Sequence, residues 1–215
     1  MGFTGSLILA RTPDSLIDLL APHEAELVGR RDDHWQLAAV TEDSPDIPGL
    51  SAALVEVTAA PVLIAVVSDS DTALLLADGP DGHQWITVLN APADSAGRAA
   101  VADTRAMTAI TQAAVAWAAK AGHTVAADAV LAALCEADRD NRAADHAFSD
   151  ALDARDFAAT HEVVRNQIPF IEVYVLRVLA TLGVAVSVQD TSSWWAHLAN
   201  QAQTPSPYPA DLPTG

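Results

Sequence analysis

Three apolar segments that follow one another at short intervals constrain the fold of this chain more than any other feature. Residues 62–67 and 72–77 are apolar almost throughout, and residues 84–89 alternate around Trp and aliphatic side chains. The links between them, residues 69–71 and 79–82, are short and rich in Asp, Gly and Pro, which is typical of hairpin turns. The sequence therefore predicts an antiparallel meander. We expect the uninterrupted apolar strands to be central, because strands buried on both faces lose their alternation.

Two earlier segments extend this predicted sheet. Residues 3–10 and 34–40 are short apolar runs bounded by polar or turn-forming residues, and each predicts a strand. Residues 14–20 and 50–60 carry apolar side chains at helical spacing. The N-terminal part of the chain therefore predicts an antiparallel or mixed sheet of about five strands with two helices.

The remainder of the chain is predominantly helical. Residues 107–122, 125–135 and 170–182 each place apolar side chains along one helical face. The charged segment 139–145 predicts a connection or a solvated helix end, and residues 184–188 are compatible with a short strand.

The fold class predicted from these patterns is α+β. Residues 1–90 form the sheet half, and residues 91–202 form a helical half packed on it, either with a core of its own or with one shared core. Residues 203–215 form a Pro-rich tail, which cannot propagate a helix or a strand ladder.

Charge excludes several classes of partner. The chain of 215 residues carries 28 acidic and 11 basic side chains, a net charge of -17. Nucleic acid and anionic membrane surfaces both require clustered Lys and Arg, so neither is expected as a partner. The single cysteine, Cys135, excludes an intrachain disulfide, and no signal peptide is evident. We therefore expect a cytoplasmic protein.

The acidic link Asp69-Ser70-Asp71 has two interpretations. As part of a hairpin it is a solvated turn. As a strand-end D-x-D it resembles a feature of haloacid-dehalogenase-type phosphatases and metal-dependent glycosyltransferases, in which Asp69 and Asp71 would share a divalent cation. Against the phosphatase pattern, Ala73 stands where a Thr is needed.

Other catalytic motifs are incomplete or absent. His161-Glu162 begins the zinc-protease pattern, but Arg165 occupies the position of the second His. Cys135 lies among apolar residues without a nucleophile signature, and it is expected to be a small buried side chain. No G-x-S-x-G, P-loop or G-x-G-x-x-G pattern occurs. We therefore expect no cofactor and no catalytic residue.

The tandem pair Trp194-Trp195 is the most informative aromatic feature. Adjacent residues of a helix point about 100° apart, so one apolar stripe does not easily bury both. One interpretation is that one ring packs while the other lies at the surface as an anchor for a partner. The alternative is that both belong to the core.

Short motifs in the first 90 residues carry a resemblance to a known group. They are Met1-Gly2-Phe3-Thr4-Gly5, Leu7, Ala10-Arg11, Ala60-Pro61, Asp69-Ser70-Asp71, Asp81-Gly82 and Trp85. In these the sequence resembles a group of uncharacterised actinobacterial proteins. The resemblance implies a genome type and a cytoplasmic setting, and it implies no activity.

Two functions from different classes follow. The first is an acidic protein-binding module without catalysis, of a regulatory or toxin-neutralising kind, with Trp194 and Trp195 as candidate contacts for a basic partner. The alternative is a metal-dependent hydrolase or transferase that uses Asp69 and Asp71. The oligomeric state is left open by the sequence.

Overall fold

A computed structural model describes residues 2–21, 23–31, 33–41, 46–91, 103–165, 169–188, 193–206 and 208. Its strands are β1 Gly5–Arg11, β2 Ala25–Arg30, β3 Trp35–Val40, β4 Val62–Ser68, β5 Thr72–Asp78, β6 Gln84–Leu89 and β7 Ser187–Val188. Its helices are α1 Leu16–Leu19, α2 Ile47–Thr58, α3 Thr104–Lys120, α4 Ala127–Asp153, α5 Phe157–Arg165, α6 Ile171–Thr181 and α7 Trp194–Ala202.

The seven strands form one antiparallel sheet in the order β6-β5-β4-β1-β3-β2-β7. The first strand of the chain is therefore the central one, and Ile8 lies between Ala38 of β3 and Ile64 of β4. The predicted meander of β4, β5 and β6 is confirmed, with Ser68 opposite Thr72 at its first turn. The prediction of an α+β fold is likewise confirmed.

The number of strands in the prediction was wrong, since the sheet has seven and not five. No apolar run marks β2, which has Glu26 and Gly29 within six residues and a register shift after Leu27. A Cβ at Gly29 would lie 2.7 Å from the backbone oxygen of Ser187, so the close approach of β7 requires glycine there.

Helices cover both faces of the sheet. On one face, α1 and α2 bury Leu16 and Leu54 against β1, β3 and β4. On the opposite face, side chains of α3, α4, α6 and α7 form a larger cluster with the sheet, in which Trp117 lies 6.0 Å from Trp35. Sheet and helical residues thus share a core, which fixes the C-terminal helices against the strands.

The prediction for the charged segment 139–145 was wrong. It lies in the middle of α4, a single helix of 27 residues, and is neither a connection nor a helix end. Asp140 within this segment is buried, and so is Asp138 immediately before it. Asp140 accepts a hydrogen bond from Tyr174 of α6, so the charge here marks a polar contact between helices. Within the part of the chain that the structure describes, no helix is long and apolar enough to span a bilayer.

Candidate functional site

The turn between β4 and β5, residues 69–71, is a tight hairpin. Asp69 and Ser70 have φ angles of +51° and +57°, and the Asp71 amide donates to the Ser68 carbonyl, as in a type I′ turn. Strand β5 begins directly afterwards at Thr72, so the predicted hairpin is confirmed. Asp69 and Asp71 are exposed, whereas Ser70 is buried.

Ser70 ties this turn to two other elements. Its amide donates to the Phe3 carbonyl at 2.9 Å, and its Oγ accepts from the Phe3 amide at 2.6 Å. Its carbonyl accepts from the Ile171 amide at 3.0 Å, and its Oγ donates to Glu172 Oε1 at 2.6 Å. These four bonds offset the left-handed backbone that a serine rarely adopts. They also fix the start of α6 against the hairpin.

Glu172 is a fully buried carboxyl group. Its Oε2 has no hydrogen-bond partner among the described residues. Burial raises the pKa of Glu172, and the hydrogen bond from Ser70 opposes that shift only in part. Protonation of this side chain is therefore more favourable in the folded protein than in the unfolded chain.

The described residues provide no third ligand for a metal ion at Asp69 and Asp71. Among the described residues, no three His, Cys, Asp or Glu side chains are placed to hold one metal ion. Cation binding by Asp69 and Asp71 stays a prediction.

The tandem tryptophans lie in different environments. Trp195 is buried, and its Nε1 donates to Glu26 Oε1 at 2.6 Å. Trp194 is 38% exposed, and its ring lies 4.9 Å from that of Trp195 and 6.1 Å from that of Phe170. Phe3 packs edge-on to Trp195 at 5.3 Å. We refer to Phe3, Phe170 and Trp194 as the aromatic patch.

A cleft of about 490 Å³ adjoins the aromatic patch. It lies where the β4–β5 turn, the end of β6, helix α4, helix α5 and the start of α6 meet. Its polar and aromatic lining consists of Ser70, Asp71, Asn90, Asn141, Asp145, Phe148, Phe170 and Tyr174. Phe170 belongs to both the patch and the cleft, so the two form one continuous surface.

A buried polar network supports the wall of this cleft. Asp140 is fully buried, and its Oδ2 accepts from the Tyr174 hydroxyl at 3.0 Å and from Ser206 Oγ at 2.7 Å. Arg139 donates to Asp140 Oδ1 at 3.0 Å. Burial, followed by the nearby Asp140 carboxylate, raises the pKa of the Tyr174 hydroxyl. The hydroxyl is thereby kept as a donor to Asp140.

The predicted Pro-rich tail is anchored at its start. Arg177 of α6 pairs with Glu136 at 2.7 Å and donates to the backbone carbonyls of Gln201, Ala202 and Thr204. Residues 207 and 209–215 of the tail lie outside the described residues.

Sequence reasoning identified Trp194 and Trp195 but missed the cleft. Asn141, Asp145 and Phe148 follow one another at i, i+4 and i+7 along α4, which is the spacing of one helical face. This mixture of polar and aromatic residues on one helical face could have predicted the wall of the cleft that α4 forms.

Comparison of the chain with protein-family models, curated proteins and solved structures gave no match. The aromatic patch and the cleft are therefore the basis for a functional interpretation.

Proposed function

We propose that this protein is an acidic protein-binding module with a regulatory or toxin-neutralising role, and that the aromatic patch is its docking surface. The observation that carries the proposal is the pair of neighbouring rings at Phe170 and Trp194, which are 39% and 38% exposed. Aromatic side chains held at the surface are the commonest anchors of protein interfaces.

The scaffold supports the patch as a rigid surface. Trp194 rests on Trp195, which is fixed by its hydrogen bond to Glu26 of β2. Phe170 immediately precedes α6, whose first residue is bonded to Ser70. Rings that are ordered before binding lose little conformational entropy in a complex, which favours affinity.

The charge of the chain favours a basic partner. A net charge of -17 attracts positively charged proteins and accelerates their encounter, while the aromatic contacts slow dissociation. A cytoplasmic location and the likeness to actinobacterial proteins belong to the same proposal, and both support a native lysate of such an organism as the place to seek the partner.

Capture from such a lysate tests the proposal. The wild type, Trp194→Ala and Phe157→Ala are immobilised in parallel, because Phe157 is an aromatic residue 76% exposed outside the patch and serves as the matched control. We expect one stoichiometric partner on the wild type and on Phe157→Ala. On Trp194→Ala its affinity should fall about thirtyfold, the effect of removing an interface anchor.

Two results would contradict the proposal. One is the absence of a stoichiometric partner at both low and moderate salt. The other is a partner that Trp194→Ala retains as well as Phe157→Ala does. Urea unfolding of both variants shows whether each is folded under the capture conditions.

A further inference from the structure

We propose that the cleft beside the aromatic patch receives an arginine side chain of the bound partner. This inference rests on the proposed function, because it assigns the residue that a docked protein segment inserts next to Phe170. The cleft is the part of this surface in which negative charge, hydrogen-bond acceptors and flat aromatic rings occur together.

The first argument is uncompensated negative charge. Asp71 and Asp145 are exposed in the cleft lining, and neither forms an ion pair with a described residue. Among the lining residues that the structure describes, none is Lys, Arg or His. Arg177 lies over the Tyr174 ring at 5.4 Å, but it is paired with Glu136 and is not part of the lining. The charge of the cleft thus favours a cation supplied from outside.

The second argument is the direction of the hydrogen bonds. Asn90 Nδ2 donates to the Asp71 carbonyl and Asn141 Nδ2 donates to the Ala137 carbonyl, which leaves both Oδ1 atoms as acceptors. The Ser70 and Tyr174 hydroxyls donate to Glu172 and Asp140, as described above. Both hydroxyl donors and one N–H of each side-chain amide are therefore used within the protein, and the Asn oxygens and the Asp carboxylates offer acceptors to a ligand.

The third argument selects arginine over a metal ion or an ammonium group. A divalent cation requires several converging oxygen ligands, and the described residues include no set of three carboxylate, imidazole or thiolate side chains that could hold one. The rings of Phe148 and Phe170 line the cleft instead. A guanidinium group supplies five donors to the acceptors and a planar face to the rings, whereas an ammonium group has no such face.

Heteronuclear NMR of the full chain tests this assignment with small probes. N-acetyl-arginine amide is titrated, with N-acetyl-citrulline amide as its neutral counterpart of the same shape and N-acetyl-lysine amide as a second cation. We expect the arginine probe to shift the backbone amides of Asp71, Asn90 and Asp145 with a Kd of about 1 mM, a reasonable value for a ligand of this size. The lysine probe should bind more weakly, and the citrulline probe should cause no saturable shift.

Matched variants show whether the cleft carboxylates are responsible. Asp145→Asn should raise the Kd for the arginine probe about threefold, the effect of one exposed ion pair. Asp150→Asn changes the same charge on the same helix outside the cleft lining and should leave the Kd unchanged.

The two proposals fail separately. Capture of the partner by Trp194→Ala tests the docking surface, and titration of the wild type with the arginine probe tests the cleft. If the partner depends on Trp194 while arginine and citrulline shift the cleft amides equally, the arginine assignment alone is overturned. The assignment is also overturned if lysine binds as well as arginine, if Asp150→Asn weakens binding as much as Asp145→Asn, or if magnesium chloride displaces the arginine probe at equal ionic strength.

Discussion

Asp140 and Glu172 are both fully buried carboxyl groups, on adjoining helices, yet the protein accommodates them in opposite ways. Asp140 accepts hydrogen bonds from Tyr174, Ser206 and the guanidinium of Arg139. Glu172 accepts one from Ser70, and its second oxygen has no partner among the described residues. The first carboxyl group is surrounded by donors, while burial raises the pKa of the second.

The difference indicates which of the two carboxyl groups stabilises the fold. A buried carboxylate with several donors holds together the elements that supply them, here α4, α6 and the start of the tail. A buried carboxyl group with few donors costs free energy whenever it ionises. Removing Asp140 should therefore destabilise the protein strongly, whereas removing the charge of Glu172 should stabilise it.

Asp140→Ala is expected to have the largest effect. It leaves the buried Tyr174 hydroxyl and the Arg139 guanidinium without their acceptor, and it releases Ser206. The free energy of unfolding should fall by about 3 kcal/mol, the cost of breaking a buried charge pair from one side. Urea denaturation measures this fall. Asp150→Ala, an exposed position on the same helix, should change it by less than about 0.5 kcal/mol. Equal effects of Asp140→Ala and Asp150→Ala would show that the buried Asp140 stabilises the fold no more than an exposed aspartate does.

Ser70→Ala should have an intermediate effect. It removes the acceptor of the Phe3 amide and the donor to Glu172, and we expect a loss of about 2 kcal/mol in the free energy of unfolding. Ser68→Ala, at an exposed residue beside the same turn, is the control. Combining Ser70→Ala with Glu172→Ala sharpens the test, because each substitution removes the Ser70–Glu172 hydrogen bond and the double-mutant cycle isolates its energy. Additive effects would show that this contact contributes nothing.

Glu172→Gln should have the smallest effect and the opposite sign. Because the folded protein raises the pKa of Glu172 above its ordinary value of 4.5, the folded state binds a proton that the unfolded state releases as the pH rises. The wild type therefore loses stability as the pH rises from the unfolded pKa through the folded one. Glutamine has no such loss, so the variant should be more stable by about 1 kcal/mol at pH 8.

The pH dependence of that difference is the decisive measurement. Near pH 4 Glu172 is mostly protonated in both states, and the advantage of Glu172→Gln should nearly vanish. Urea unfolding of both proteins between pH 4 and pH 8 gives the two curves. A variant that is less stable than the wild type at pH 8 would mean that the Glu172 carboxylate is well compensated after all.

The parts of the fold that were predictable are those in which one local signal dominates. Strands β4 and β5 are nearly continuous apolar segments, helix α6 carries apolar side chains at helical spacing, and each forms as expected. Strand β2 lacks such a run, and its pairing depends on β3 and β7, so only tertiary contacts define it. The prediction for the middle of α4 was wrong because Asp140 is buried and accepts hydrogen bonds from Tyr174 and Ser206 on other elements.

The candidate site likewise has one part that was predictable from the sequence and one part that was not. The unequal exposure of Trp194 and Trp195 agrees with the angular step of a helix, which is a local property. The cleft brings Asn90 from the end of β6 together with Asp145 of α4 and Tyr174 of α6. These residues are separated by tens of positions in the chain, and no spacing rule links them. Their convergence is a product of the packed core.

The central place of β1 has a consequence for the growing polypeptide on the ribosome. This strand is synthesised before both of its neighbours, β3 and β4, which end only at Val40 and Ser68. Until both neighbours have left the exit tunnel, β1 is an apolar segment with two unpaired edges. We expect nascent chains that stop before β4 to be the species most prone to associate with one another or to recruit chaperones.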